Sequence, residues 1–402
     1  MSANCPLAVR PIVASSLSLA LMLPLVTAGC GQSSADVNPI VGDAATVSLP
    51  VQLPSDDQLR QQLDEAIAIT ASRTLVADDN AAWQVVHGIL AFGPDLKVQV
   101  NGKELSAQEY LLSGGRLKGW ILSQGDKGVE SLLEAGSKTG QGHEDQWLGY
   151  LSLSGLKADT PIKVGDKTYK VIDLLTQAQW DIYPGMESTW TLMALSSYLP
   201  MDVKWKNKRG EDWTIDRVVK MEAEQDIARS ACGGTHRLVG LTVAVNRHVK
   251  EGGPLIDGWK AANDQIRGFI KLAQDNQQAD GTFSTNYFLV PAQNSPDVGE
   301  QIGTTGHTLE FLALAMTDDE LKQPWLTRAA TRLCELVVET KDFPLECGGL
   351  YHASRGMKLY RERRFGPPSA SAQPQRGEPK SGDPTSNGPA ITPVAETKAT
   401  QR

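Results

Sequence analysis

Only five of the 402 residues are cysteine, too few for a fold stitched by disulfides, so a hydrophobic core has to carry stability. After residue 30 no apolar run approaches the roughly 20 residues that span a bilayer, which excludes an integral membrane body. Positive charge is short as well. Lys and Arg number 39 against 47 Asp and Glu, and no basic stripe interleaves with aromatics, so nucleic acid is excluded as a partner. Three motifs are missing: the Gly-x-Ser-x-Gly elbow, the Gly-x-x-x-x-Gly-Lys loop and the His-Glu-x-x-His helix. Their absence removes the chemistries those spacings carry. What remains, 41% hydrophobic and 21% charged residues, has the composition of a globular chain of one large domain or two ordinary ones.

The N-terminus is the most legible part. A stretch carrying only Arg10 leads into an apolar run from Pro11 to Ala28, closed by Ala28-Gly29-Cys30 and followed by polar Gly31-Gln32-Ser33-Ser34. A leader this short, ending in small residues, is an export signal and not a spanning anchor. Cysteine directly after Ala-Gly resembles the lipobox of bacterial lipoproteins, with Thr27 where that motif usually has Leu. The resemblance implies a signal peptide over residues 1–29 and an acylated Cys30. The chain would then be exported and anchored in the bilayer, facing the periplasm or the cell surface. An ordinary secreted protein cut nearby is the alternative. Residues 30–54 read as a polar tether and 55–366 as the folded domain. Residues 367–402, rich in Pro, Ser, Gly and Thr, cannot bury enough apolar surface to order themselves.

Within the domain, one-sided helical stripes alternate with segments apolar nearly all round. Leu59, Leu63, Ala66, Ile67 and Thr70 form one stripe, and Leu326, Ala329, Ala330, Leu333, Leu336 and Val337 another. Trp83 to Ala91, Thr189 to Leu195, His236 to Leu241 and His307 to Ala315 are apolar on every side, as helices buried all round require. Inner-helix starts are expected near Ala82, Gly142, Glu187, Gly234, Gly306 and Gly349. Strand signals are confined to Lys97–Val100, turning at Asn101-Gly102, and Ile162–Val164, turning at Gly165-Asp166. The pattern predicts an all-α fold: an α/α toroid of about six helical hairpins with small β-hairpin excursions, enclosing a polar central cavity.

Gln277-Gln278-Ala279-Asp280-Gly281-Thr282-Phe283 resembles the Gln-x-x-Asp-Gly-x-Trp/Phe repeat of the terpenoid cyclase and protein prenyltransferase toroids. Several further blocks, among them His143 to Leu151, Cys232 to Leu241 and Gly303 to Leu314, resemble an uncharacterised family of planctomycete-type exported toroid proteins. The likeness implies a fold and no established activity. The Asp-x-Asp-Asp acid of the protonating cyclases is absent.

Histidines recur at expected inner-helix starts: His143, His236, His307 and His352. A helix N-terminus favours neutral imidazoles and anions, so these side chains would converge on one mouth of the ring with Asp145, Glu187, Asp280 and Glu310. His307, Glu310, His143 and Asp145 are the acid–base candidates. His236, Glu187, Asp280, His352 and Tyr351 are the ligand-binding ones. The competing reading makes each histidine a satisfied core residue behind a Gly-Thr helix cap. Cleavage removes Cys5 and acylation uses Cys30, leaving Cys232, Cys334 and Cys347. Cys334, inside a helical stripe, reads as a small hydrophobe. The twin Cys-Gly-Gly contexts leave three options: a Cys232–Cys347 disulfide, free thiols, or a metal on Cys232-x-x-x-His236 with Cys347 or His352. No complete ligand motif calls for a cofactor; zinc is the metal with a precedent in the resembled toroids. Two functions stay open: a binding module for an envelope saccharide or protein, and an enzyme acting on envelope carbohydrate.

Overall fold

The structure, a computed structural model, describes residues 52–134, 139–140 and 142–367. The expected signal peptide, Cys30 and almost all of the expected tether and tail lie outside the described residues. Helices begin where a side chain closes the first turn. In α1 (Asp56–Ala71) Ser55 Oγ accepts from Gln58 N–H at 3.3 Å while Gln58 Oε1 accepts from Ser55 N–H at 2.9 Å, a reciprocal capping box. Its buried residues, Leu59, Leu63, Ala66 and Thr70, form the predicted stripe. In α2 (Ala82–Phe92) every residue from Val85 to Phe92 is buried.

This alternation continues through α3 (Ala107–Leu112), α4 (Gln146–Leu153), α5 (Val171–Asp181), α6 (Thr189–Tyr198), α7 (Ile215–Ala223), α8 (Thr235–Lys250), α9 (Asp257–Asp275), α10 (Val298–Ala315), α11 (Pro324–Glu339) and α12 (Cys347–Phe365). Odd-numbered helices bury one face, whereas even-numbered ones are buried on every side over long stretches such as residues 85–92, 189–196, 235–242 and 304–313, where helices lie on several sides. The even helices pack in series: α2 on α4, α4 on α6, α6 on α8, α8 on α10, α10 on α12, and α12 on α2. Odd helices lie against them, α9 on α8, α11 on α10 and α1 on α12. Among the described residues no helix is long and apolar enough to cross a membrane.

The strands are short. β1 (Leu75–Val76) runs parallel to β2 (Lys97–Val100), which pairs antiparallel with β3 (Lys103–Ser106). Three further antiparallel pairs are β4 (Trp120–Gln124) with β5 (Val129–Leu133), β6 (Pro161–Val164) with β7 (Lys167–Lys170), and β8 (Lys204–Lys206) with β9 (Asp212–Thr214). The two predicted hairpins are present, with Asn101 and Gly102 both at positive φ as a tight hairpin turn demands. The fold is helix-rich with small antiparallel strand pairs, as the expected helical body with β-hairpin excursions requires; the β8–β9 pair, too short and charged to show alternation, was not among those expected.

One helix boundary differs from expectation. Gly303-Thr304-Thr305-Gly306 looked like a helix start, yet α10 begins eight residues before Gly306, capped by Asp297, whose carboxylate accepts from Glu300 N–H at 3.0 Å. The glycines serve packing. A Cβ on Gly306 would sit 2.5 Å from Ala353, one on Gly349 2.9 Å from Gly303, and one on Gly356 2.8 Å from the Glu310 nitrogen. Small residues therefore let the backbones of α10 and α12 approach closely, and this sets how near their histidines lie.

Candidate histidine and cysteine centre

His307 is the tenth residue of α10, so no helix N-terminus acts on it. Its Nδ1 lies 2.7 Å from the Gly303 carbonyl, one turn back, and His87 of α2 makes the same bond to the Trp83 carbonyl at 2.5 Å. A carbonyl only accepts, so Nδ1 carries the hydrogen in both rings and Nε2 keeps its lone pair. His352, on α12, gives Nδ1–H to Glu310 Oε2 at 2.5 Å, which likewise leaves Nε2 as the lone-pair nitrogen. Glu310 is fully occupied by His352 and by a short ion pair to Arg355, all of it buried.

Four imidazoles from four helices then meet. Ring centroids of His307 and His352 are 4.0 Å apart, His236 and His352 4.9 Å, His87 and His352 5.1 Å, and His236 and His307 5.3 Å. His236 Nε2 lies 3.2 Å from His352 Nε2 and 3.5 Å from the Tyr150 hydroxyl, itself 3.1 Å from His352 Nε2. Since His352 Nε2 accepts, His236 carries its hydrogen on Nε2. Its Nδ1 is left as a buried lone pair with no hydrogen-bond partner among the described residues. Burial lowers the pKa of all four rings, and neighbouring histidines add to this for His236 and His352, so the cluster is neutral.

Cys232 completes the group. It sits at φ 50°, followed by Gly233 and Gly234, also at positive φ, and this loop turns the thiol toward α8 and α10. Ligand atoms of Cys232, His236 and His307 all lie within 4.8 Å of one another. Burial, helped by the charge of Glu346, pushes the thiol pKa up to about 11. The Cys232–Cys347 disulfide is not formed. Both are free thiols, and Cys347 meets Gln84 Nε2 at 3.5 Å. The third potential ligand is His307, seventy-one residues from His236 in sequence and invisible to a spacing argument.

The other candidates divide. His143 stacks on Trp190, with centroids 4.2 Å apart, and its Nδ1 lies 2.8 Å from Glu187 Oε2. Its ring reaches the cluster edge, 6.4 Å from His236. Burial works against the Glu187 charge, but His143 and Arg237 overcome it and hold its pKa below the ordinary carboxylate value. Asp145 does not join the histidines. Its carboxylate takes the Thr191 hydroxyl at 2.5 Å and faces a separate cavity of about 280 Å³ lined also by Glu130, Glu144, Asp181 and Lys208. Burial pushes its pKa up to about 6.

Asp280 is exposed and accepts from Thr282 N–H and Oγ–H at 3.0 and 2.7 Å, closing its own turn. Gln277 of the same motif donates to the Gly281 and Trp325 carbonyls, so the resembled repeat ties α9 to α11 and does not face the centre. Tyr351 is core, packed on Phe92. Glu310 was paired in expectation with His307 on one helix face; across the α10–α12 seam it serves His352 instead. His307 is bonded through Nδ1 to a carbonyl and keeps its Nε2 lone pair, but its expected partner Glu310 is engaged by His352 and Arg355. His87 and Tyr150, missed from sequence, share the site; the only trace of His87 was its place in an all-apolar helix.

No family model matches this chain, and no curated protein or solved structure is similar to it.

Proposed function

We propose that this chain is a lipid-anchored α/α toroid of the cell envelope whose inner helices hold a transition-metal ion of the zinc type on Cys232, His236 and His307. The observation that carries it is the donor set itself. A thiol and two imidazoles converge within 4.8 Å, and His236 Nδ1 is a buried lone pair with no hydrogen-bond partner among the described residues. A buried acceptor without a donor is costly, and a cation at that point removes the cost. The remaining ring nitrogens are held too, His307 Nδ1 by the Gly303 carbonyl and His236 Nε2 by His352 Nε2, the outer-shell arrangement typical of metal-ligating histidines. A zinc ion with three protein ligands keeps a fourth position for a bound ligand and polarises it. The serial packing of the even helices, from α2 round to α12 and back, supports the toroid. The Ala28-Gly29-Cys30 leader supports export and anchoring.

The test is metal content. The full chain, dialysed against zinc and then buffer, is expected to retain stoichiometric zinc and to lose thermal stability on chelation. Cys232→Ser and His307→Gln are expected to abolish retention. A wild-type chain that holds no zinc, cobalt or copper defeats the metal assignment. A second reading, acid–base action on an envelope saccharide, draws on Asp145, whose raised pKa and neighbouring carboxylates around one cavity are features of such sites. Saccharide-induced thermal shifts that vanish in Asp145→Asn but survive Cys232→Ser would favour it.

A further inference from the structure

A further cavity, of about 340 Å³, opens where four segments meet: the chain following α3, the first half of β4, α4, and the end of β6 with its turn. It shares no residue with the histidine centre or with the Asp145 cavity. Sites for small molecules run from roughly 300 to 1,000 Å³, so this one is of ligand size.

Its walls are apolar. Trp120 and Trp147, 3% and 4% exposed, meet at a tilt with ring centroids 5.5 Å apart, and Ile121, 64% exposed, carries the apolar lining out to solvent. The Trp147 indole N–H is buried with no acceptor among the described residues, so the wall also carries an unmet donor. Gly114 closes one junction. Its φ is +84°, and a Cβ there would lie 3.3 Å from the Lys163 carbonyl oxygen, so glycine lets the segment after α3 run against β6. That junction brings Arg116 from one segment and Lys163 from the other to the same cavity.

Both cations are exposed, and neither forms an ion pair among the described residues. No acidic, amide or hydroxyl side chain of the described residues lines the cavity, although acidic residues outnumber basic ones 47 to 39 along the chain. The lining selects by chemistry. A saccharide presents many hydroxyl hydrogens that call for side-chain acceptors, and a cation calls for carboxylates; this cavity supplies neither. It supplies apolar wall and unpaired positive charge, the complement of an anion on an apolar body.

We infer that this cavity binds a small organic acid, its carboxylate held by Arg116 and Lys163 and its apolar body lying against Trp120 and Trp147. The inference stands apart from the metal reading and does not depend on it.

Calorimetric titration of the full chain tests it, with decanoate and 2-naphthoate as the acids and decanamide and 2-naphthamide as their uncharged counterparts. At least one acid is expected to bind one to one, and about tenfold or more tighter than its amide, the worth of one charge-assisted hydrogen bond. A chain carrying both Arg116→Gln and Lys163→Gln changes only exposed side chains, so its circular dichroism should match the wild type. In that variant the acid is expected to fall to within about twofold of the amide, with amide binding unchanged. Tighter decanoate identifies the apolar body as an acyl chain and tighter naphthoate as a planar ring; either supports the inference. No binding of either acid to the wild type overturns it. So does acid binding that persists unweakened in the double variant, because charge then plays no part.

Discussion

His87 and His307 each spend one ring nitrogen on the carbonyl a turn behind, and His352 spends one on Glu310. What these bonds leave free is the chemistry of the centre: lone pairs on neutral rings. A dependence on pH follows for the metal-free chain. His87, His236, His307 and His352 all have folded pKa values below the ordinary 6.5. Above 6.5 neither the folded nor the unfolded chain is protonated at these rings, so their full stability is present. Below it the unfolded chain takes up protons that the folded chain refuses, and stability is lost as pH falls toward the lowered values. Each ring contributes a slope of up to about 1.4 kcal/mol per pH unit in that window. Asp145 acts in the opposite sense. Its pKa rises from 3.8 to about 6 on folding, so its contribution is present at low pH and fades as pH rises through that value. Four histidines outweigh one aspartate. Urea unfolding is therefore expected to show stability dropping steadily from about pH 7 to pH 5, and a flat profile would contradict neutral burial of the cluster.

At the scale of elements, the seam between α10 and α12 decides whether the histidines meet. Gly306→Ala puts a methyl group 2.5 Å from Ala353, on backbone that cannot yield locally, so the two helices must part. The expected cost is roughly 1–3 kcal/mol, the range for overpacking a tight contact. Weakened metal retention should accompany it, because His307 and His352 sit on the two sides of the seam. Gly268, exposed on α9 with nothing near its missing Cβ, is the control. Alanine there should stabilise by up to about 1 kcal/mol, since glycine is the poorer helix former. Thermal denaturation of the two variants checks both signs. The seam also explains why the α10 start was misplaced. Gly-Thr-Thr-Gly carries the same letters whether it opens a helix or lets one helix lie against another, and only the neighbouring helix distinguishes them.

For the molecule as a whole, the proposed anchor and the proposed toroid make separable claims. With Cys30→Ser the lipid attachment site is gone, and the chain is expected to appear unprocessed or in the soluble fraction, with no acyl group found by mass spectrometry. An unmodified mature N-terminus elsewhere in the wild type would sink the lipoprotein assignment. The variant should still bind metal, because the centre draws only on residues between α2 and α12.

The sequence by itself determined the composition class, the one-sided and all-round helices, two of the strand pairs and the residue types of the centre. These are local matters, set by periodicity and turn chemistry, which neighbouring residues report. Tertiary structure alone decided which side chains share the centre. It took Asp145 away to Thr191, turned Asp280 into its own turn, gave Glu310 to His352 and brought His87 in from a helix that looked like plain core. It also set Cys232 beside His236 and His307 in place of Cys347. Such assignments depend on how closely two helices approach and which faces they turn to each other. Those distances come from packing between segments far apart in the chain, and no spacing within a segment encodes them.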